Sequence, residues 1–156
     1  MEEPLLVIVR SPAEREALLE LLREYEESLP RDLRHEQDLS QAVVATMVAP
    51  PATAMIAWFD GAPAGCVIVR ALDAKSAIMQ RLYVQDRARG QGLGRALVLD
   101  AIRHAANANF ERIVLDTDAE RLAPAYRLYC SLGFTRCEPY GAVSYENPAF
   151  MELPLR

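Results

Sequence analysis

The chain has 156 residues, enough for one domain with a proper core and too few for two comfortable ones. A hydrophobic content of 51% and a charged content of 25% exclude a disordered chain, and a formal net charge of −5 argues against general nucleic-acid binding. No apolar run approaches the ~20 residues that span a bilayer, and Met1-Glu2-Glu3-Pro4 has the wrong charge for a signal peptide. No membrane partner is expected, and the expected location is the cytoplasm. Cys66, Cys130 and Cys137 lack paired or metal-ligand spacing. They read as small buried hydrophobes in a reducing compartment, and no metal is expected.

Leu5 to Val9 is apolar and β-prone. Ser11-Pro12 then opens a helix, with Ser11 as N-cap, Pro12 at the first helical position and Glu14 completing a capping box. Leu18, Leu19, Leu21 and Leu22 form its apolar stripe, which fades near Pro30. A weaker helix is predicted from Leu39 to Val48, before Pro50-Pro51. A meander follows: strands over Thr53–Phe59 and Ala64–Leu72 joined by the Asp60-Gly61 turn, then a third strand over Ala77–Val84 after the polar Asp73–Ser76 turn. Next come a helix from about Gly92 to Asn107, a short strand at Ile113–Leu115, a helix from about Arg121 to Leu132, and a last strand near Phe150–Leu155. No linker or repeat divides the chain. Helices layered around a mixed sheet are the expected architecture.

The most informative stretch is Arg87-Ala88-Arg89-Gly90-Gln91-Gly92-Leu93-Gly94-Arg95, between a predicted strand and a predicted helix. Glycines let a backbone approach an anion closely, and the first amides of a helix are unpaired and carry its positive dipole end. The dinucleotide fingerprint fails because Arg95 stands where its third glycine belongs, and no lysine–hydroxyl pair completes a P-loop. What fits is R-x-x-G-x-G at Arg89, Gly92 and Gly94, read either as a diphosphate cradle or as a tight turn only.

A second segment is Leu128-Tyr129-Cys130-Ser131-Leu132-Gly133-Phe134. Leu122, Ala125, Leu128, Tyr129 and Leu132 share one helical face, and Gly133 suits the left-handed C′ position. Capping alone accounts for the Tyr129–Gly133–Phe134 spacing. A phenol protonated at neutral pH equally suits a general acid.

These two segments, in this order and separation, resemble those of the GCN5-related N-acetyltransferase (GNAT) family. The similarity spans at least Gly65 to Phe134, and the stretches Gly65–Arg70, Met79–Val84 and Glu138–Leu153 look like those of a subgroup of small bacterial acetyltransferases. The resemblance implies an α/β (α+β) fold, a mixed, mostly antiparallel central sheet flanked by helices, forming one domain over residues 1–156. It implies acetyl-CoA as cosubstrate and a small-molecule amine as acceptor, with direct attack by the amine on the thioester. Leu82, Tyr83 and Val84 would face the pantetheine arm. Arg89, Gly90, Gln91, Gly92, Leu93, Gly94 and Arg95 would cradle the pyrophosphate, and Tyr129 would protonate the departing thiolate. Homodimers are plausible for the family, although no interface is legible here.

The chain departs from the family at Ile78, where relatives often carry a base-like glutamate, and near Leu122, where they often carry asparagine. The amine's proton would then leave through water or through His35, Glu36, Tyr140 or Glu146. Pairing Leu72 with Ala77 places Arg70, Met79, Arg81 and Tyr83 on one sheet face. Arg70 and Arg81 then either clamp a substrate carboxylate or are ordinary sheet arginines. Asp116-Thr117-Asp118 reads either as a cation or acid site or as the end of a strand that caps the next helix, the second being expected; Glu24, Glu26 and Glu27 read as a solvated helix end. His104 favours the C-terminal half of its helix, and Trp58 lines core or groove. Two alternatives to small-amine acetylation stand beside it: acetylation of a protein N-terminus or lysine, and a non-catalytic acyl-CoA-binding sensor domain.

Overall fold

Local signals in the sequence set most of the elements of the computed structural model, which describes residues 4–35 and 39–155. Strand β1 (Leu5–Ile8) leads into helix α1 (Pro12–Ser28). The capping box is complete: Ser11 Oγ accepts from the Glu14 N–H at 3.1 Å, and the Glu14 carboxylate accepts from the Ser11 N–H at 2.8 Å. Leu18, Leu19, Leu21 and Leu22 are the buried stripe of α1. A 3-10 turn at Arg31–Leu33 precedes α2 (Gln41–Met47), which Ser40 caps.

Strands β2 (Thr53–Phe59) and β3 (Ala62–Ala71) form a hairpin through Asp60 and Gly61, both at positive φ. That geometry matches the twist of the paired strands. Then follow β4 (Ser76–Val84), a 3-10 turn at Asp86–Ala88, α3 (Leu93–Asn107), β5 (Arg112–Thr117), α4 (Ala123–Ser131), β6 (Thr135–Arg136) and β7 (Ala149–Pro154).

The sheet runs β1-β2-β3-β4-β5-β7-β6, and every neighbouring pair is antiparallel except β4 with β5. This is the expected mixed, mostly antiparallel sheet. On one face α3 buries Leu97, Val98 and Ala101 against Met55, Val67, Met79 and Leu115. On the other, α1 closes over Ile56, Cys66 and Ile68. Burial of each Leu, Ile, Val or Met side chain among these contributes ~1.5–3 kcal/mol.

Two expectations are corrected. Ala77 pairs with Ala71 rather than Leu72, so Arg70 lies opposite Ile78, not Met79. The ladder then shifts: between the pairs Ile68–Gln80 and Cys66–Tyr83, β4 carries one residue more than β3. Arg81, at φ +57°, is the extra residue of this bulge, and it reverses the alternation. Met79 therefore packs under α3, while Tyr83 packs with Cys66 on the α1 side. The second correction concerns the cysteines. Cys66 is fully buried, and burial pushes its thiol up to about 12, but Cys130 is exposed and Cys137 only half-buried. Tyr129 takes the inward position on α4, which turns the next residue outward.

Candidate active site

Parallel pairing between β4 and β5 covers only Ser76–Ile78 against Arg112–Val114. Beyond it β4 continues through the Arg81 bulge to Val84, and β5 runs on to Thr117. A cavity of about 700 Å³ lies there, lined by Leu82–Val84, the glycine loop, Leu128 and Tyr129 of α4, the end of β5, and Tyr25 and His35. Trp58 packs against the core beneath α1.

The glycine loop opens α3 at one end of this cavity. Gly90 and Gly92 have φ of +78° and +82°, a region in which a Cβ is strained, and Gly92 is the helix N-cap with no side-chain cap bond. A Cβ on either glycine meets nothing within 4 Å, so both front open space. A Cβ on Gly94 would lie 3.5 Å from Leu128 and 3.8 Å from Val84, in the gap between loop and α4. Open space before unpaired first-turn amides fits a pyrophosphate. Arg95 is exposed and forms no ion pair among the described residues. Arg89 pairs with Asp86 at 2.6 Å and donates from Nε to the Val84 carbonyl at 3.2 Å. Arg87 is committed elsewhere: it donates to the Phe59 and Pro63 carbonyls at 3.1 Å and tethers the loop to the β2–β3 hairpin. Gln91 is exposed, and the Leu93 side chain is buried in the core, leaving its backbone to the loop.

Leu82, Tyr83 and Val84 all line the cavity. The Tyr83 hydroxyl donates to Glu24 at 3.2 Å, and Gln85 donates to the same carboxylate at 2.9 Å. Burial, with the Glu24 charge and that hydrogen bond, pushes the Tyr83 phenol up to about 12. Tyr129 is fixed by the end of α4. Gly133 (φ +100°) donates to the Cys130 carbonyl and Phe134 to the Tyr129 carbonyl, both at 3.1 Å, which is a Schellman motif. The Tyr129 and Phe134 rings meet at 5.9 Å. Capping and a cavity position thus coexist in one residue. Burial first, then the charges of Tyr25 and Asp116, raise the Tyr129 phenol, which keeps it protonated at neutral pH.

The cavity lining also carries His35, Arg81, Asp116, Asp118 and Arg121. His35 Nδ1 lies 2.6 Å from Glu26 Oε1. Arg81 is half-buried; burial disfavours its charge, Tyr25 and Glu26 favour it, and Arg70 opposes it. Arg70 itself is exposed outside the cavity lining and donates to Gln80 at 2.9 Å. Asp116 accepts from the Tyr140 hydroxyl at 2.6 Å and the Tyr145 hydroxyl at 2.7 Å. Burial, then these bonds, raise both phenols. Arg121 clasps Asp32 through two bonds of 2.8 and 2.9 Å and Asp118 through one of 2.7 Å, joining the loop after α1 to the loop after β5. No group of three or more metal-ligating side chains occurs among the described residues, and none of the described helices is long and apolar enough to cross a membrane.

A profile described as the acetyltransferase (GNAT) family matches residues 15–134. The chain belongs to this family. An uncharacterized N-acetyltransferase of Schizosaccharomyces pombe is 32% identical over 151 residues, covering 94% of this chain and 92% of the relative. Human N-acetylaspartate synthetase is 36% identical over 87 residues, covering 54% of this chain but 28% of its own length. The solved structure of yncA, a putative acetyltransferase from Salmonella typhimurium with its cofactor acetyl-CoA, superposes with a TM-score of 0.77 at 19% identity, over 99% of this chain and 95% of that one. The chain is thus an acetyl-CoA-dependent N-acetyltransferase of the GNAT fold.

Within this GNAT chain, several residues differ from their sequence reading. Glu24 and Glu26 are half-buried partners of Tyr83 and His35, not a solvated helix end. Asp116–Asp118 does end β5, but Asp118 caps the turn at Glu120 and Arg121, while Leu122 is the N-cap of α4. Ile78 is a buried apolar side chain of β4. Of the side chains considered as bases, His35 lines the cavity, Tyr140 is bound to Asp116, Glu146 is exposed outside the lining, and Glu36 lies outside the described residues. Asp116 stands in the sequence as a possible cation or acid site, but its two phenol partners are not legible there, because the tyrosines come from the segment after β6.

Proposed function

We propose that the protein transfers an acetyl group from acetyl-CoA to the primary amine of a small, amino-acid-like acceptor, by direct attack within a ternary complex. The observation that carries this reading is the glycine loop opening α3 into the cavity where β4 and β5 part. Likeness to N-acetylaspartate synthetases over 87 residues supports an amino-acid-like acceptor.

Acetyl-CoA supplies an acetyl thioester when bound. The loop amides from Gly90 to Gly94, with Arg89 and Arg95, would hold the pyrophosphate; Arg89 would exchange its bond to the Val84 carbonyl for that contact. The backbone of Leu82–Val84 would hold the pantetheine arm, and an N–H near Val84 would polarise the thioester carbonyl. Tyr129 would give its proton to the departing sulfur as the new C–N bond forms and the C–S bond breaks. With Ile78 in place of a carboxylate, the proton lost by the amine goes to cavity water. Arg81, which lines the cavity, would meet a carboxylate of the acceptor, while Arg70 lies outside the lining. Most of the acceleration would come from holding amine and thioester together.

The test is a panel of amino acids, simple alkylamines and N-terminal peptides, each incubated with acetyl-CoA and followed by release of CoA and by product mass. Acetylation of carboxylate-bearing small amines at lower KM than simple alkylamines supports the proposal. Acetylation of peptides alone replaces it with a protein acetyltransferase.

A further inference from the structure

Asp116 lies two residues past the last β4–β5 pair, Ile78–Val114, so it stands on the wall of the opening rather than inside the sheet. Its neighbours on β5, Leu115 and Thr117, are buried, and pairing with Phe150 on β7 fixes the strand beneath it. Each carboxylate oxygen is held by one phenol: Oδ1 by Tyr140 at 2.6 Å, Oδ2 by Tyr145 at 2.7 Å. Tyr140 is itself pinned edge-on against Phe150, with ring centroids 5.1 Å apart. Tyr145 reaches the cavity wall alongside Asp116.

The charge balance at this spot is unusual. Nearby Asp118 and Asp32 are satisfied by Arg121, yet no basic side chain among the described residues forms an ion pair with Asp116. Neutral donors orient the carboxylate without cancelling its charge. Ionised carboxylates offer about four lone-pair sites, and the phenols use two. A fixed anion on a cavity wall, with acceptor capacity left and no ion pair to a cation among the described residues, is built for a cationic ligand. Both phenol hydroxyls donate to the carboxylate and fix its orientation on the wall.

We propose that Asp116, held by Tyr140 and Tyr145, binds the protonated amino group of the acceptor and sets its approach to the acetyl site. This rests on the small-amine reading above and adds the residue that recognises the amine. No proton transfer to Asp116 is involved; the ammonium loses its proton to water before attack. Binding at Asp116 selects small primary ammonium ions over neutral nucleophiles of similar size.

The test uses wild-type protein, Asp116→Asn and Tyr145→Phe with acetyl-CoA. The acceptors are L-aspartate, L-alanine, L-lysine and n-butylamine, all ammonium ions at pH 7, and methoxyamine, which is uncharged there. Loss of a charge-assisted bond predicts a rise in KM of roughly 10- to 100-fold for the ammonium acceptors in Asp116→Asn. KM for methoxyamine and for acetyl-CoA should stay within about 3-fold, the margin of a lost uniform contact. Tyr145→Phe should move the ammonium KM the same way by less, and serves alone if Asp116→Asn does not fold. An unchanged ammonium KM, or an equal loss for ammonium ions and methoxyamine, overturns the assignment. So does wild-type protein that is stabilised by acetyl-CoA but acetylates none of the four amines, which leaves the cofactor site standing. Absence of any stabilisation by acetyl-CoA instead brings down the acetyltransferase reading beneath it.

Discussion

Replacing Gly92 separates the backbone role of the glycine loop from its ligand role. At φ +82° an alanine incurs the left-handed penalty of ~1–2 kcal/mol. For a chain of this size each kcal/mol shifts Tm by ~2–4 °C, so Gly92→Ala should melt about 2–8 °C lower. Asparagine tolerates that region and is a favoured N-cap, so Gly92→Asn should melt within about 2 °C of wild type. Both side chains project into the open space before the first-turn amides. At acetyl-CoA concentrations of 100 times the wild-type Kd, wild-type protein gains ~2.7 kcal/mol. A tenfold weaker variant gains only ~1.4 kcal/mol at that concentration. Thermal unfolding with and without acetyl-CoA therefore reads both effects in one assay. A Gly92→Asn protein with the full wild-type ligand shift would refute the idea that the missing Cβ serves the pyrophosphate.

Three further outcomes follow from the geometry. Tyr129→Phe keeps the ring against Phe134, so it should fold normally while kcat falls by roughly 10²–10⁴ with the KM for acetyl-CoA unchanged; an unchanged kcat removes Tyr129 as general acid. Arg81→Gln should raise KM for carboxylate-bearing acceptors by about 10-fold or more and leave carboxylate-free amines alone; an unchanged KM for the carboxylate-bearing acceptors would dismiss the contact. Arg121 holds the Asp32 and Asp118 carboxyls below their ordinary 3.8, through its side chain on Asp32 and through backbone and side chain on Asp118. A depressed carboxyl stabilises above its unfolded pKa and loses that contribution as pH falls through the folded value. Hence the Tm difference between wild type and Arg121→Gln should be full above about pH 4 and shrink in more acid solution; a difference that persists unchanged at pH 2 contradicts the clasp.

What was legible in the sequence is what short-range physics decides. Ser11-Pro12 with Glu14 encodes a cap within four residues, and Tyr129–Gly133–Phe134 encodes a Schellman end within six. The glycine loop could be read as a helix start because its glycines, its arginines and the helix it opens are contiguous. Its ligand was legible only through resemblance to the family, since a tight turn has the same composition. The β3–β4 register failed by one residue because nothing local marks Arg81 as a bulge. An arginine at positive φ is imposed by the surrounding sheet, and it turned Met79 and Tyr83 to opposite faces. Glu24 and Glu26 read as solvated because their partners, Tyr83, Gln85 and His35, arrive from other elements. The partners of Asp116 were hidden for the same reason: its phenols lie 24 and 29 residues away along the chain.

Calorimetric titration of the wild-type protein with acetyl-CoA, CoA and NAD tests the central claim most directly. The glycine loop and the Leu82–Val84 edge predict one-to-one binding of acetyl-CoA and CoA and none of NAD, because the fingerprint for a dinucleotide fails at Arg95. No heat of binding with acetyl-CoA at millimolar concentration, or equal binding of NAD, would contradict the assignment of this cavity to acetyl-CoA.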